Sequence, residues 1–117
     1  MRLILILVLI MFLLQIGESK DTSDNSDIVL ASEILAKIDK CEPLDYKGKT
    51  IEGDLDASGK KLGSIRFSNT TFNGKVTFLE NQFEKDIYFE EVTFNKEATF
   101  FKSHFFGDAS FRRSIFF

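Results

Sequence analysis

From residue 65 to the end of the chain, apolar positions return at a fixed interval. Phe stands at Phe67, Phe72, Phe78, Phe83, Phe89, Phe94, Phe100, Phe105, Phe111 and Phe116. The steps alternate between five and six, so the repeating unit is eleven residues. Two positions before each Phe runs a second series of mostly small or apolar residues: Ile65, Thr70, Val76, Asn81, Ile87, Val92, Ala98, Ser103, Ala109 and Ser114. An amphipathic helix places apolar residues at i, i+3, i+4 and i+7, and steps of five and six walk off any single helical stripe. A flat strand needs strict alternation, and an odd step sends the side chain to the other face. A left-handed hexapeptide coil requires an unbroken step of six, which half of the intervals violate. A chain that turns a corner after every Phe satisfies the pattern, each short side sending one Phe and its i−2 partner inward. Four sides close one square coil of 22 residues. Such coils bury their apolar faces only by stacking on their neighbours.

The stretch Phe72-Asn-Gly-Lys-Val-Thr-Phe78-Leu-Glu-Asn-Gln-Phe83 resembles the pentapeptide-repeat family, in a Phe-rich variant with an eleven-residue double repeat. The family's central apolar residue maps onto the Phe series, and its small i−2 residue onto the second series. The likeness covers Ile65 to Phe116. It implies an all-β fold, a right-handed quadrilateral parallel β-helix, here with a short N-terminal capping α-helix. Upstream, Ala31-Ser-Glu-Ile-Leu-Ala-Lys-Ile-Asp-Lys40 followed by Ile51-Glu-Gly-Asp-Leu55-Asp looks like the leader of some members, with Cys41 where Gly is expected.

A coil of 22 residues predicts four aromatic columns: Phe67/Phe89/Phe111, Phe72/Phe94/Phe116, Phe78/Phe100 and Phe83/Phe105. Parallel coils sit about 4.8 Å apart, within reach of offset ring stacking. These ten Phe residues are the expected core ladder. Asn81 and Ser103 fall at inward i−2 positions, so their polar atoms need backbone partners or water.

The repeat is preceded by one helical signal. Leu30, Ile34, Leu35 and Ile38 lie on one stripe, with Glu33, Lys37 and Lys40 opposite, predicting a helix over 28–40. Ser26 or Asp27 is the expected N-cap, and Pro43 prevents continuation. Covering the first coil is its most economical role, and binding a partner is the alternative. Residues 44–62 form a less regular first coil, with turn signals at Lys47-Gly48, at 51–54 and at 57–60. Earlier still, Met1-Arg2 precedes twelve apolar residues, Leu3 to Leu14, and a small-residue exit ending at Ser19. That pattern reads as a secretory signal peptide, with an uncleaved membrane anchor through residues 3–16 as the alternative. The domain reading is therefore 1–19 signal or anchor, 20–27 polar linker, 28–41 helix and 44–117 repeat, with truncation at the C-terminus open.

Charge narrows the functional classes. Residues 50–117 hold nine Lys/Arg and ten Asp/Glu, a net of −1. Some members of the resembled family imitate duplex DNA with a strongly acidic rod and protect topoisomerases. A mixed surface fits neither a phosphate mimic nor a basic groove for nucleic acid.

Candidate chemistry is sparse. Cys41 is the one cysteine, which excludes an internal disulfide and leaves a small helix-end residue or an intermolecular bridge. His104 has no second His to build a site with, and no nucleophile elbow, phosphate loop or zinc spacing occurs. Glu52, Asp54 and Asp56 alternate along one side and read as a solvated acidic row rather than a Ca²⁺ site. Glu90-Glu91 reads as an exposed corner pair. Asn69-Thr-Thr71 is an N-glycosylation triplet, relevant only to an exported chain. Gly74 and Gly107 sit at corners where freedom at positive φ is useful. Phe101, Phe106 and Phe117 each follow an inward Phe by one residue, face outward, and mark a candidate interface at the C-terminal end. No catalytic, cofactor or metal residues are assigned. The sequence thus predicts a non-enzymatic binding or scaffold module, exported or tethered to the membrane, with an unidentified protein or surface partner. A homodimer through the open C-terminal end is a further expectation. The alternative is a fragment of a larger membrane or surface repeat protein; a DNA-mimicking protection protein is a more distant one.

Overall fold

The computed structural model describes residues 27–117. The signal or anchor segment, most of the linker and Ser26 lie outside the described residues. The described residues are mostly β, arranged in parallel sheets with one short helix among them, an architecture compatible with a repeat β-solenoid. A first circuit comprises β2 (Leu44–Lys47), β3 (Thr50–Glu52), β4 (Leu55–Asp56) and β5 (Lys61–Leu62). A second comprises β6 (Ile65–Ser68), β7 (Thr71–Phe72), β8 (Val76–Thr77) and β9 (Gln82–Phe83). The third is β10 (Ile87–Glu90), β11 (Thr93–Phe94), β12 (Ala98–Thr99) and β13 (His104–Phe105), and the described chain closes with β14 (Ala109–Ser110) and β15 (Ile115–Phe116). Each circuit contributes one strand to each of four sheets. The strand orders are β2-β6-β10-β14, β3-β7-β11-β15, β4-β8-β12 and β5-β9-β13, with β1 (Ile28–Leu30) added to the second sheet beside β3. All pairings are parallel.

The register explains the Phe period. Phe67 pairs with Phe89, Phe72 with Phe94 and Phe94 with Phe116, each 22 positions apart. Rings in one column therefore stack: Phe67 on Phe89 at 5.5 Å, Phe89 on Phe111 at 5.1 Å, Phe72 on Phe94 at 5.3 Å and Phe83 on Phe105 at 4.7 Å. Rings in neighbouring columns meet edge to face, as Phe67 does with Phe72 at 5.0 Å. Each fully buried Phe contributes about 2–3 kcal/mol of apolar transfer, and each ring pair adds about 0.5–1.5 kcal/mol.

The first circuit follows the same plan with other residues and one position fewer. Leu44 pairs with Ile65 and Leu55 with Val76, 21 apart. Tyr46, Ile51, Ala57 and Leu62 stand where later circuits carry Phe, all buried. Tyr46 stacks on Phe67 at 5.5 Å. The missing position falls between Leu62 and Ile65, where Gly63-Ser64 replaces the three residues Glu84-Lys85-Asp86 of the next circuit.

The N-terminal helix is shorter than its apolar stripe predicts. Ile28–Leu30 is strand β1, and the helix, α1, is Ala31–Asp39. Asp27 does not cap it: the N-cap is Leu30, in an extended conformation with no side-chain cap. Pairing three residues with β3 satisfies more backbone groups than one further helical turn would. Leu30 consequently points to solvent, while Ala31, Ile34 and Ile38 join the core that the first circuit fills. At the far end Cys41 takes φ +57°. The Cys41 amide donates to Ile38 O and the Glu42 amide to Lys37 O, both at 2.9 Å. That is a Schellman stop, with Cys in the position that favours Gly. Lys37 lies over the Tyr46 ring at 4.9 Å, and Lys60 pairs with Asp39, fastening the helix to the first circuit.

Two corner columns run along the stack in the left-handed region. One is Gly48, Asn69, Glu91 and Arg113; the other is Gly59, Glu80 and Lys102. The amides of Gly48, Asn69 and Glu91 donate to the carbonyls of Ser68, Glu90 and Arg112, each at 2.9 Å. The corners are thus held by the same coil-to-coil bonding as the strands. Gly74 and Gly107 serve a different purpose from the one their position suggested, since neither has positive φ. A Cβ at Gly74 would lie 2.1 Å from Gly53 O, and one at Gly107 would lie 2.5 Å from Asp86 Oδ1. Close approach of neighbouring coils requires Gly there.

Candidate functional site

The interior is occupied by side chains throughout. Phe67, Phe72, Phe78, Phe83, Phe89 and Phe94 are all fully buried. The polar residues on the inward series bond the coils together. Asn81, fully buried, donates through Nδ2 to Ala57 O at 2.6 Å and Lys60 O at 2.8 Å. The Ser103 hydroxyl donates to Phe78 O at 3.0 Å and accepts from the Asn81 amide at 3.2 Å. Ser114 repeats that bridge with Phe89 O and the Val92 amide, whereas Thr70 donates within its own coil, to Ser68 O. Asn81 Oδ1 has no partner, a cost that the two bonds from Nδ2 must offset.

Surface chemistry is spread over the faces. The Asp56 carboxylate accepts from the Ser58 hydroxyl at 2.5 Å and the Ser58 amide at 3.0 Å, and these bonds hold it below the ordinary carboxylate value. Asp54 accepts from the Lys75 amide at 2.9 Å, and Glu52 accepts from Asn73 Nδ2 at 2.7 Å. The acidic row therefore serves three separate partners. Asn95 Nδ2 donates in turn to Asn73 Oδ1 at 2.8 Å, extending an amide ladder across three circuits. Among the described residues, no three His, Cys, Asp or Glu side chains converge on a metal-binding point. On the sheet of four-residue strands, Arg66 lies over the Tyr88 ring at 5.1 Å. The Asp86 carboxylate beside Tyr88 raises its hydroxyl above the ordinary tyrosine value, and Arg66 opposes that shift. Arg66 also lines an open groove, with Asp45, Lys47, Ser68, Asn69, Glu90 and Glu91. Glu91 pairs with Arg113 at 3.5 Å. His104, Asn69 and the Cys41 thiol are exposed.

The largest exposed apolar surface lies at the C-terminal end. Phe101, Phe106 and Phe117 face outward, 59%, 69% and 78% exposed. The end of the stack adds residues that the period assigns to the core. Phe105 and Phe116 are inward by register yet 39% and 52% exposed, while Phe100 and Phe111 are half-buried. Each has a ring beneath it and none above. Ile115, 52% exposed, completes the surface, and nothing in the repeat pattern singles it out. Sequence reasoning could have found these residues by asking which columns lack a following member.

Comparison of the chain with protein-family models, curated proteins and solved structures gave no match. The opposite end differs in kind from the C-terminal one. There α1 lays Ala31, Ile34 and Ile38 on the first circuit and turns Ser32, Glu33, Asp39 and Lys40 to solvent. Among the described residues, no helix is long and apolar enough to cross a membrane.

Proposed function

We propose that this chain is a non-enzymatic binding or scaffold module built on a right-handed quadrilateral β-helix of the pentapeptide-repeat type. It is exported, or held at the outer face of the membrane by the segment before residue 20. The observation that carries the reading is a filled interior beside an exposed aromatic end. Side chains occupy the space where a solenoid would otherwise enclose a ligand, so recognition falls to outer rows, corners and the open end. The mixed charge of the repeat supports a protein or surface partner over nucleic acid.

Fractionation and intact-mass measurement of the protein from its native cells test the reading. The expected result is a chain about 2 kDa below 13.4 kDa outside the cytosol, or the full mass in the membrane fraction facing outward. A full-length chain in the cytosol would overturn the export assignment. A substantially larger mass would make these 117 residues one part of a longer repeat protein and move the function there.

A further inference from the structure

We infer that Asn69 is a modification site, the acceptor of an N-linked glycan. The inference rests on the export reading, because the sugar donor meets only chains that enter a secretory lumen. It is carried by an agreement between the sequence and the structure. Asn69-Thr70-Thr71 presents Asn, a residue other than Pro, and Thr in the order that an acceptor requires. Four asparagines fall among the described residues, and the other three lack Ser or Thr two places on. Those three are also committed. Asn73 Nδ2 donates to Glu52, Asn95 Nδ2 donates to Asn73, and Asn81 Nδ2 is sealed between coils. A sugar on any of these nitrogens would displace a bond that joins adjacent circuits. Asn69 is exposed, and its side chain makes no hydrogen bond among the described residues. The acceptor triplet thus falls on the asparagine whose amide is spare.

The corner around Asn69 can carry a bulky group. Asn69 takes φ +47°, a conformation that Asn tolerates well, and its backbone amide donates to Glu90 O at 2.9 Å. The turn is therefore fixed through the main chain. In the coil beneath, the same corner is Gly48, with nothing within 4 Å of the place that a Cβ would take. A sugar on Asn69 meets open space there, and the groove that Asn69 borders offers Lys47, Arg66, Ser68 and Glu90 as polar neighbours. Such a chain is bulky and solubilising, and at this corner it leaves the core and the ladders untouched. The transfer balances with a lipid diphosphate-linked oligosaccharide as donor. Asn69 Nδ2 forms a bond to the anomeric carbon of the first sugar and gives up one proton to a base of the transferase. The carbon–oxygen bond to the diphosphate breaks, and the lipid diphosphate leaves with the electron pair.

Intact-mass measurement of the full-length protein from fractionated native cells, before and after peptide-N-glycosidase treatment, tests this. The mass after treatment reads the polypeptide and so the export assignment; the difference between the two masses reads the sugar. The expected result is a heterogeneous mass that collapses to a single polypeptide mass, with the Asn69 side chain converted to a carboxylate. Asn69→Gln and Thr71→Val, expressed in the same cells, should each lose the added mass, whereas Thr71→Ser and Asn73→Gln should keep it. An exported chain at its bare polypeptide mass would overturn the site and leave export standing. A bare chain confined to the cytosol would overturn both. Added mass that survives Asn69→Gln, or that resists the glycosidase, would place the modification elsewhere and overturn the inference as well.

Discussion

Replacing Asn81 by Asp would place a carboxyl group where the structure has sealed an amide between two coils. Asn81 is fully buried, and its Nδ2 donates to the carbonyls of Ala57 and Lys60. A carboxylate there would face two carbonyl oxygens with no donor, so burial and repulsion would push its pKa well above the usual range. The protonated form keeps one donor and loses one bond, a cost of about 1 kcal/mol. The sign of the pH dependence follows directly. Between the unfolded pKa, about 3.9, and the raised folded value, the folded state binds more protons than the unfolded state. Stability relative to wild type then falls as pH rises, by about 1.4 kcal/mol per unit. By pH 7 the penalty reaches about 4 kcal/mol beyond the low-pH cost if the folded value is 7 or higher. Urea unfolding of both proteins at one concentration, followed by circular dichroism from pH 4 to pH 7, would measure it as a shift in midpoint at constant slope. A difference that stays flat with pH, or one below about 1 kcal/mol at pH 7, would show that water reaches Asn81 and would refute the sealed interior.

Three other substitutions probe separate parts of the fold. Gly74→Ala should cost at least about 2 kcal/mol, because its Cβ would lie 2.1 Å from the Gly53 carbonyl oxygen; Gly63→Ala, with nothing within 4 Å, should be nearly neutral in the same urea assay. Cys41→Gly should raise stability by about 0.5–1 kcal/mol through relief of positive φ, and Cys41→Ala should not. Asp56→Ala should lose less than about 1 kcal/mol of stability at neutral pH. Because Asp56 is held below its ordinary value of 3.8, that loss should fade as pH falls through the carboxylate range, and a difference unchanged at low pH would contradict it.

How much was legible depended on which residues carried the signal. The Phe series specified side length, corner position and stacking partner, because a large apolar group every five or six residues fits few backbones. The same plan was hidden in the first circuit, where Tyr46, Ile51, Ala57 and Leu62 differ in size and chemistry. The shortened corner at Gly63-Ser64 also breaks the period there, so counting back from Phe67 falls out of phase. β1 escaped notice because Ile28-Val29-Leu30 adjoins a helical stripe, and three residues cannot display a period of their own. The left-handed corners at Glu80, Glu91 and Lys102 carry no turn signature at all; the stacking of coils selects that conformation. Gly74 and Gly107 were recognisable as necessary, but the necessity lies in the adjacent coil, which sequence order does not reveal. For the candidate interface, Phe101, Phe106 and Phe117 follow from parity alone. The exposure of Phe105 and Phe116 depends on what lies above them.

From the second circuit onward, neighbours stand 22 positions apart, so the length of the stack comes in whole steps. Duplicating residues 65–86 would reproduce every ladder bond and ring stack one level higher, lengthening the rod by about 4.8 Å with both ends unaltered. Duplicating eleven residues would rotate everything beyond by half a circuit and carry the C-terminal surface to the opposite side. The 21-residue circuit under the helix cannot be copied so freely, because its shortened corner sets the phase between cap and rod. Evolution can therefore tune the reach of such a protein like the marks on a ruler, provided that the zero end is left alone.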